Sequence, residues 1–132
     1  MSKLNVIIVD DIFTNRLLLS EIIEDLGHNL IVVENGKEAI DALMNNNIDL
    51  ILMDIEMPVM NGLEATKYIR ERLPSPKCFT PVIALTAHNP KIFFDDYKDV
   101  GFSQLLTKPY SVKKITELFE SFLSKSTIIN SD

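Results

Sequence analysis

The sequence lacks most of what would staple, anchor or charge it for a specialised surface. A single cysteine, Cys78, excludes an internal disulfide and fits a reducing compartment, where it reads as an ordinary loop or core thiol. Wholly apolar runs such as Val6 to Val9 and Leu30 to Val33 stop at four residues. Crossing a bilayer takes ~20, so no direct membrane insertion is expected. The start, Met1-Ser2-Lys3-Leu4-Asn5, has no signal-peptide core, and a cytoplasmic location follows as the expectation. Positive charge is also scarce. Lys and Arg number 13 against 19 Asp and Glu, for a net charge of −6, and no basic run exceeds two residues. Neutralising nucleic-acid phosphates requires a basic face, so no nucleic acid partner is expected. Internal repeats and low-complexity segments are absent as well.

What is present suits one ordinary domain. The 132 residues are 46% hydrophobic, and a chain of that length buries about two-thirds of its unfolded surface without staples. Short runs rich in Val, Ile and Leu, namely Leu4 to Val9, Leu30 to Val33, Ile48 to Met53 and Val82 to Leu85, alternate with stretches of helical period. A weaker fifth run is Leu105-Leu106. Such runs fit strands buried on both faces. Helices are predicted over roughly 14 to 26, closed by Gly27, then 36 to 45 and 63 to 72. A fourth is predicted from near Pro90, with Ile92, Phe93, Tyr97 and Val100 ahead of Gly101, and a fifth from Ser111 to about Leu123. The fivefold βα alternation predicts an α/β fold with a parallel sheet and helices on both faces. The domain is expected over residues 1–124, with 125–132 as a C-terminal tail.

Functional groups in an open α/β sheet gather beyond the carboxyl ends of the strands. There the first strand runs into Asp10-Asp11, the third into Asp54, the fourth into Thr86 and the fifth into Lys108-Pro109. If the first and third strands are neighbours, three carboxylates come within a few ångströms and need a cation to neutralise them. All-oxygen ligation with room for water and a phosphate oxygen suits Mg²⁺, and no Cys or His cluster offers a zinc site. Lys108 and Thr86 complete a set able to hold a phosphoryl group while a carboxylate attacks phosphorus. Asp54, ending the central strand, is the candidate nucleophile and an aspartyl phosphate the implied intermediate. Asp10 and Asp11 are suited to holding the metal.

Four blocks, Val9-Asp10-Asp11, Met53 to Gly62, Ala84-Leu85-Thr86-Ala87 and Lys108-Pro109, occur in order and at domain-consistent spacing. In these blocks the chain resembles the receiver domains of two-component response regulators over residues 4 to 123. The resemblance implies a flavodoxin-like, doubly wound fold of five parallel strands in the order 2-1-3-4-5 with five helices on two faces. It implies that Asp54 accepts a phosphoryl group from a phosphohistidine on a histidine kinase or histidine phosphotransfer protein. Asp11, Asp54 and the backbone carbonyl of Glu56 would bind Mg²⁺, with Asp10 acting mostly through water. Thr86 would hydrogen-bond a phosphoryl oxygen, Lys108 would pair with it, and the Lys108–Pro109 bond would be cis. Pro58 and Gly62 look like residues shaping the loop after the nucleophile.

The same resemblance places output on the face made by the fourth helix, fifth strand and fifth helix, beside which Phe93, Phe94, Tyr97 and Tyr110 fall. The family's aromatic switch position holds Leu105 here, and Glu56 and His88 occupy positions that tune phosphoryl lifetime. His28, beside Gly27, reads as a solvated helix end. An aspartyl-phosphate phosphohydrolase is the alternative reading, but such enzymes place a second Asp two residues after the nucleophile, where this chain has Glu56. A flavin carrier of the same topology needs a phosphate-cradling first loop, and Asp10-Asp11-Ile12-Phe13 is anionic. The expected role is therefore a signalling domain rather than an enzyme. With only Lys125 to Asp132 after the last predicted helix, no output domain is expected. Met57 to Ala65 and the loop Pro74 to Pro81 look more like receivers of hybrid histidine kinases, a placement that would put the domain at the cytoplasmic face of a membrane protein.

Overall fold

A computed structural model describes residues 3–87, 91, 95 and 97–130, with side chains described through residue 124. Five parallel strands form one sheet in the order β2-β1-β3-β4-β5. They are β1 (Asn5–Val9), β2 (Asn29–Val33), β3 (Leu50–Asp54), β4 (Val82–Thr86) and β5 (Gln104–Thr107). Helices α1 (Phe13–Asp25), α2 (Gly36–Asn45), α3 (Gly62–Arg72) and a C-terminal helix (Val112–Asn130) are the four counted among the described residues. The C-terminal helix continues beyond the end near Leu123 expected from the sequence. Of the fourth predicted helix, Lys91, Asp95 and Tyr97 are helical, while Pro90, Ile92, Phe93 and Phe94 lie outside the described residues.

Alternation along the strands divides the core into two layers. Val6, Ile8, Leu50, Leu52, Ile83 and Leu85 pack beneath α1 and the C-terminal helix, against Leu19, Ile23, Ile115 and Phe119. Ile7, Val9, Ile51, Met53 and Val82 face α2 and α3, against Ala39, Leu43, Ala65 and Ile69. Strands β3 and β4 are buried at every residue. The expectation of burial on both faces does not extend to β2 and β5, whose residues are largely half-buried or exposed, because these strands form the sheet's edges. Pairing of Val9 with Met53 and of Asp54 with Leu85 brings the carboxyl ends of β1, β3 and β4 to one level.

The connections terminate as the residue types require. Gly27, at φ 91°, follows α1 with its N–H on the Glu24 carbonyl, and His28 N–H reaches the Ile23 carbonyl, the paired bonds of a Schellman cap. His28 is not the solvated helix end expected. It is buried, its Nδ1 accepts from Leu4 N–H at 3.0 Å, and its ring stacks on Phe119 with centroids 4.9 Å apart. The Lys108–Pro109 bond is cis as expected, and Ser75–Pro76 is cis as well. Among the described residues no helix is long and apolar enough to cross a membrane.

Candidate functional site

The site lies where the carboxyl ends of β1, β3, β4 and β5 meet. Asp10 and Asp54 are almost wholly buried and Asp11 is exposed, yet one carboxylate oxygen of each lies within 4.8 Å of the others. Asp10 Oδ1 accepts the Ile12 N–H at 2.9 Å, whereas its buried Oδ2 has no hydrogen-bond partner. Asp54 Oδ1 lies 3.1 Å from Lys108 Nζ and accepts the Glu56 N–H at 3.4 Å. Thr86 is buried at the end of β4, and its carbonyl accepts the Lys108 N–H at 2.8 Å, tying the lysine to the same strand end. The sequence-derived set of Asp10, Asp11, Asp54, Glu56, Thr86 and Lys108 thus converges on one rim. Glu56 is represented there by its backbone, while its side chain is exposed.

Electrostatics follow from this crowding. Burial holds the Asp10 carboxyl above its ordinary range, and burial followed by the neighbouring Asp10 charge does the same for Asp54. Lys108 opposes both shifts without cancelling them. The pocket is therefore short of positive charge at neutral pH.

Local structure fixes the loop that follows Asp54. Asn61 caps α3 by accepting the Glu64 N–H at 2.9 Å, and Glu64 answers by accepting the Asn61 N–H at 3.1 Å, a reciprocal capping box. Gly62 begins that helix against the end of β3, where any Cβ would collide with the Asp54 carbonyl oxygen. Between them, Met60 N–H bonds the Pro58 carbonyl at 2.9 Å around Val59, which sits at φ 72°, a γ-turn that a β-branched residue adopts only under strain.

Three contributors were not assigned from the sequence. Arg16 Nη1 donates to the Asp10 carbonyl at 3.0 Å and lies 3.8 Å from Glu34 Oε1, bracing the end of β1 against that of β2. A basic residue in the first turns of a helix opposes the macrodipole, and that was its available signal. Val59 carried no signal, since valine is an unfavourable choice for its conformation. Tyr110 was noted as an aromatic, but its buried, unpartnered hydroxyl was not foreseen. Leu105, at the position expected to hold the switch aromatic, packs with Ile55 and Ala84 beside Tyr97 and Phe102. His88 lies outside the described residues.

The family model of the response regulator receiver domain matches residues 6–120. The chain belongs to this family. It is 35% identical over 118 residues to the two-component response regulator 24 of Arabidopsis thaliana, covering 89% of this chain and 82% of that protein. It is also 34% identical over 122 residues to the aerobic respiration control sensor protein ArcB of Escherichia coli K12, covering 92% of this chain. The chain spans only 15% of the length of that sensor protein. Among solved structures, the chemotaxis response regulator CheY4 of Vibrio cholerae superposes with a TM-score of 0.83 at 28% identity, covering 91% of this chain and 98% of that one. The fold is accordingly the flavodoxin-like fold of receivers, and the chain is a phosphoacceptor receiver domain of two-component signalling. Receivers are signalling domains that exchange phosphoryl groups with histidine kinases or phosphotransfer proteins.

Proposed function

We propose that Asp54 is the phosphoacceptor and that Asp10, Asp11, Asp54 and the Glu56 carbonyl hold a Mg²⁺ ion beside it. The 3.1 Å contact between Lys108 Nζ and Asp54 Oδ1 carries the reading, because it places a fixed cation against a buried carboxylate of an acidic group. The donor set fits the ion. It consists of hard oxygens, has surplus negative charge, and includes an Asp10 oxygen with no other partner. Bound there, Mg²⁺ would neutralise charge on the phosphoryl oxygens and on the acids.

The chain's own residues account for the rest. Lys108 Nζ and the Glu56 N–H both donate to Asp54 Oδ1, so Oδ2 is assigned to attack phosphorus. The new P–O bond forms as the P–N bond of a phosphohistidine breaks, and the departing imidazole keeps the electron pair and takes a proton from water. Lys108 and the Thr86 hydroxyl then hold the transferred oxygens in place. Exposed apolar side chains at the mouth, Ile12, Phe13, Leu17 and Val59, offer a contact surface for the phosphohistidine-bearing partner. A groove of about 590 Å³ between β5 and the C-terminal helix, lined by Leu105, Thr107, Lys114, Glu117 and Leu118, supports output through the face of the fourth predicted helix, fifth strand and fifth predicted helix. We place the domain in the cytoplasm, free or as part of a hybrid kinase, acting as a switch rather than a turnover enzyme.

The test is incorporation of phosphate from acetyl phosphate with Mg²⁺, read by intact mass. The parent should gain one phosphoryl group and Asp54→Ala none. Equal labelling of Asp54→Ala would remove the assignment.

A further inference from the structure

Two buried polar atoms at the site lack partners, and they are complementary. Asp10 Oδ2 is an acceptor and the Tyr110 hydroxyl a donor. With Thr66 Oγ1 they are the unpartnered buried side-chain atoms among the described residues. Their placement follows from the chain. Asp10 extends the β1 series Val6 and Ile8, which faces α1 and the C-terminal helix, and Tyr110 packs against that same cluster. Tyr110 also follows Lys108 by two residues, and the Lys108 ammonium touches Asp54. An unpaired buried hydroxyl costs about 1–3 kcal/mol, a cost difficult to account for if the residue only fills space, since phenylalanine would fill it equally well.

We propose that the Tyr110 hydroxyl is a positioning residue for the metal pocket, donating to Asp10 Oδ2 through one water when the cation is bound and so holding that carboxylate oriented toward it. The proposal rests on the assignment of the acidic group as a Mg²⁺ site. Burial, and then the charges of Asp10 and Asp54, push the Tyr110 phenol above its ordinary range, which keeps it a donor at neutral pH. Asp10 Oδ1 is already committed to the Ile12 N–H, so the second oxygen is the one available to a further donor. A hydrogen bond to a charged acceptor is the strong kind.

Tyr110→Phe removes one oxygen and keeps the ring, so packing is preserved. Isothermal titration of the full chain with MgCl₂ should show affinity weakened about three- to tenfold, within the range of one hydrogen bond to a charged group. Unfolding of the metal-free variant in urea should show stability equal to or above the parent, because an unpaired buried donor has been removed. A merely structural tyrosine would give the reverse pattern, with lower metal-free stability and unchanged affinity, and that result would overturn the proposal. If the parent itself bound no Mg²⁺, the metal-site assignment would fall and this inference with it. An unchanged affinity beside normal parent binding would sink this inference alone.

Discussion

Lys108 Nζ and Asp54 Oδ1 lie 3.1 Å apart, with the carboxylate side chain only 4% exposed and the lysine 26%. The pair joins the end of β5 to the end of β3 across β4, whose Thr86 carbonyl binds the lysine's own N–H. Removing the ammonium leaves Asp54 facing Asp10 with no fixed counter-charge. Lys108→Ala should therefore slow acetyl phosphate labelling roughly 10- to 100-fold, the worth of one charge-assisted hydrogen bond of about 1.5–3 kcal/mol. Initial rates followed by intact mass at fixed Mg²⁺ check this, and a rate equal to the parent's would refute it.

The raised Asp10 carboxyl gives a second prediction, whose sign is opposite to that of a salt-bridged acid. Its value in the folded chain lies above 3.8, so the unfolded chain gives up this proton more readily. The ionised group thus costs stability, and the cost appears as pH rises through the folded value. Asp10→Asn should raise the thermal midpoint at pH 7 without metal. Added Mg²⁺ should stabilise the parent, by about 2.7 kcal/mol at a hundredfold excess over Kd, and the variant much less. Scanning fluorimetry with a dye, with and without MgCl₂, reads both halves.

How far these relationships could be seen beforehand depended on whether they were local. Asp10, Asp54, Thr86 and Lys108 were legible because each follows an apolar run, and strand ends in an α/β sheet share one edge. The strand order was not in the periodicity. Leu30 to Val33 and Leu50 to Met53 are equally apolar, yet β2 is an edge strand and β3 is fully buried, a difference fixed by which strands pair. His28 was misread for a related reason. Gly27 announces a helix end, but the ring's fate depends on Phe119, a residue of the distant C-terminal helix. The hydroxyl of Tyr110 was hidden in the same way, since a tyrosine after Lys-Pro does not reveal which layer receives it.

Val59 offers a stability gain next to the site. Its φ of 72° costs a β-branched residue roughly 1–2 kcal/mol, and its 78% exposure means little packing is lost on truncation. Glycine adopts the turn freely but loses about 0.5–1 kcal/mol to unfolded-state entropy. Val59→Gly should thus raise unfolding stability by up to about 1 kcal/mol. Val59→Pro should lower it, since proline is locked near φ −65°. Urea midpoints at constant slope measure both.

Gly62 tests how tightly the loop is tied to the strand end that carries Asp54. Its N–H bonds the Ile55 carbonyl at 3.0 Å, and an added Cβ would overlap the Asp54 carbonyl oxygen and approach the Asp54 carbonyl carbon and the Ile55 Cα at 3.0 Å. Those atoms are backbone of a buried strand end and cannot swing aside. Gly62→Ala should destabilise the fold by at least the 1–3 kcal/mol typical of overpacking. It should also lower labelling of Asp54 even under conditions where the chain remains folded. Circular dichroism beside acetyl phosphate labelling separates the two effects, and full labelling in a fully stable variant would contradict the contact.

His28 sets the acid limit on the opposite side of the molecule. Burial lowers its pKa, and protonation would force Nδ1 to give up the Leu4 N–H it accepts at 3.0 Å. Because the folded value lies below histidine's ordinary 6.5, the unfolded chain binds more protons once pH falls under that value. The stability contributed by His28 is then complete at pH 8 and shrinks progressively as pH drops below about 6.5. Asp10 and Asp54 respond in the opposite sense, becoming less costly in acid, so the parent's total pH dependence mixes both. Comparison with His28→Gln isolates the histidine, since the glutamine can accept a hydrogen bond but does not titrate. The difference in urea-unfolding free energy between parent and variant should be largest at pH 8 and should narrow by pH 5. A difference that stayed constant across that range would mean the ring's value lies in its stack on Phe119 alone, 4.9 Å away, and not in its neutral form.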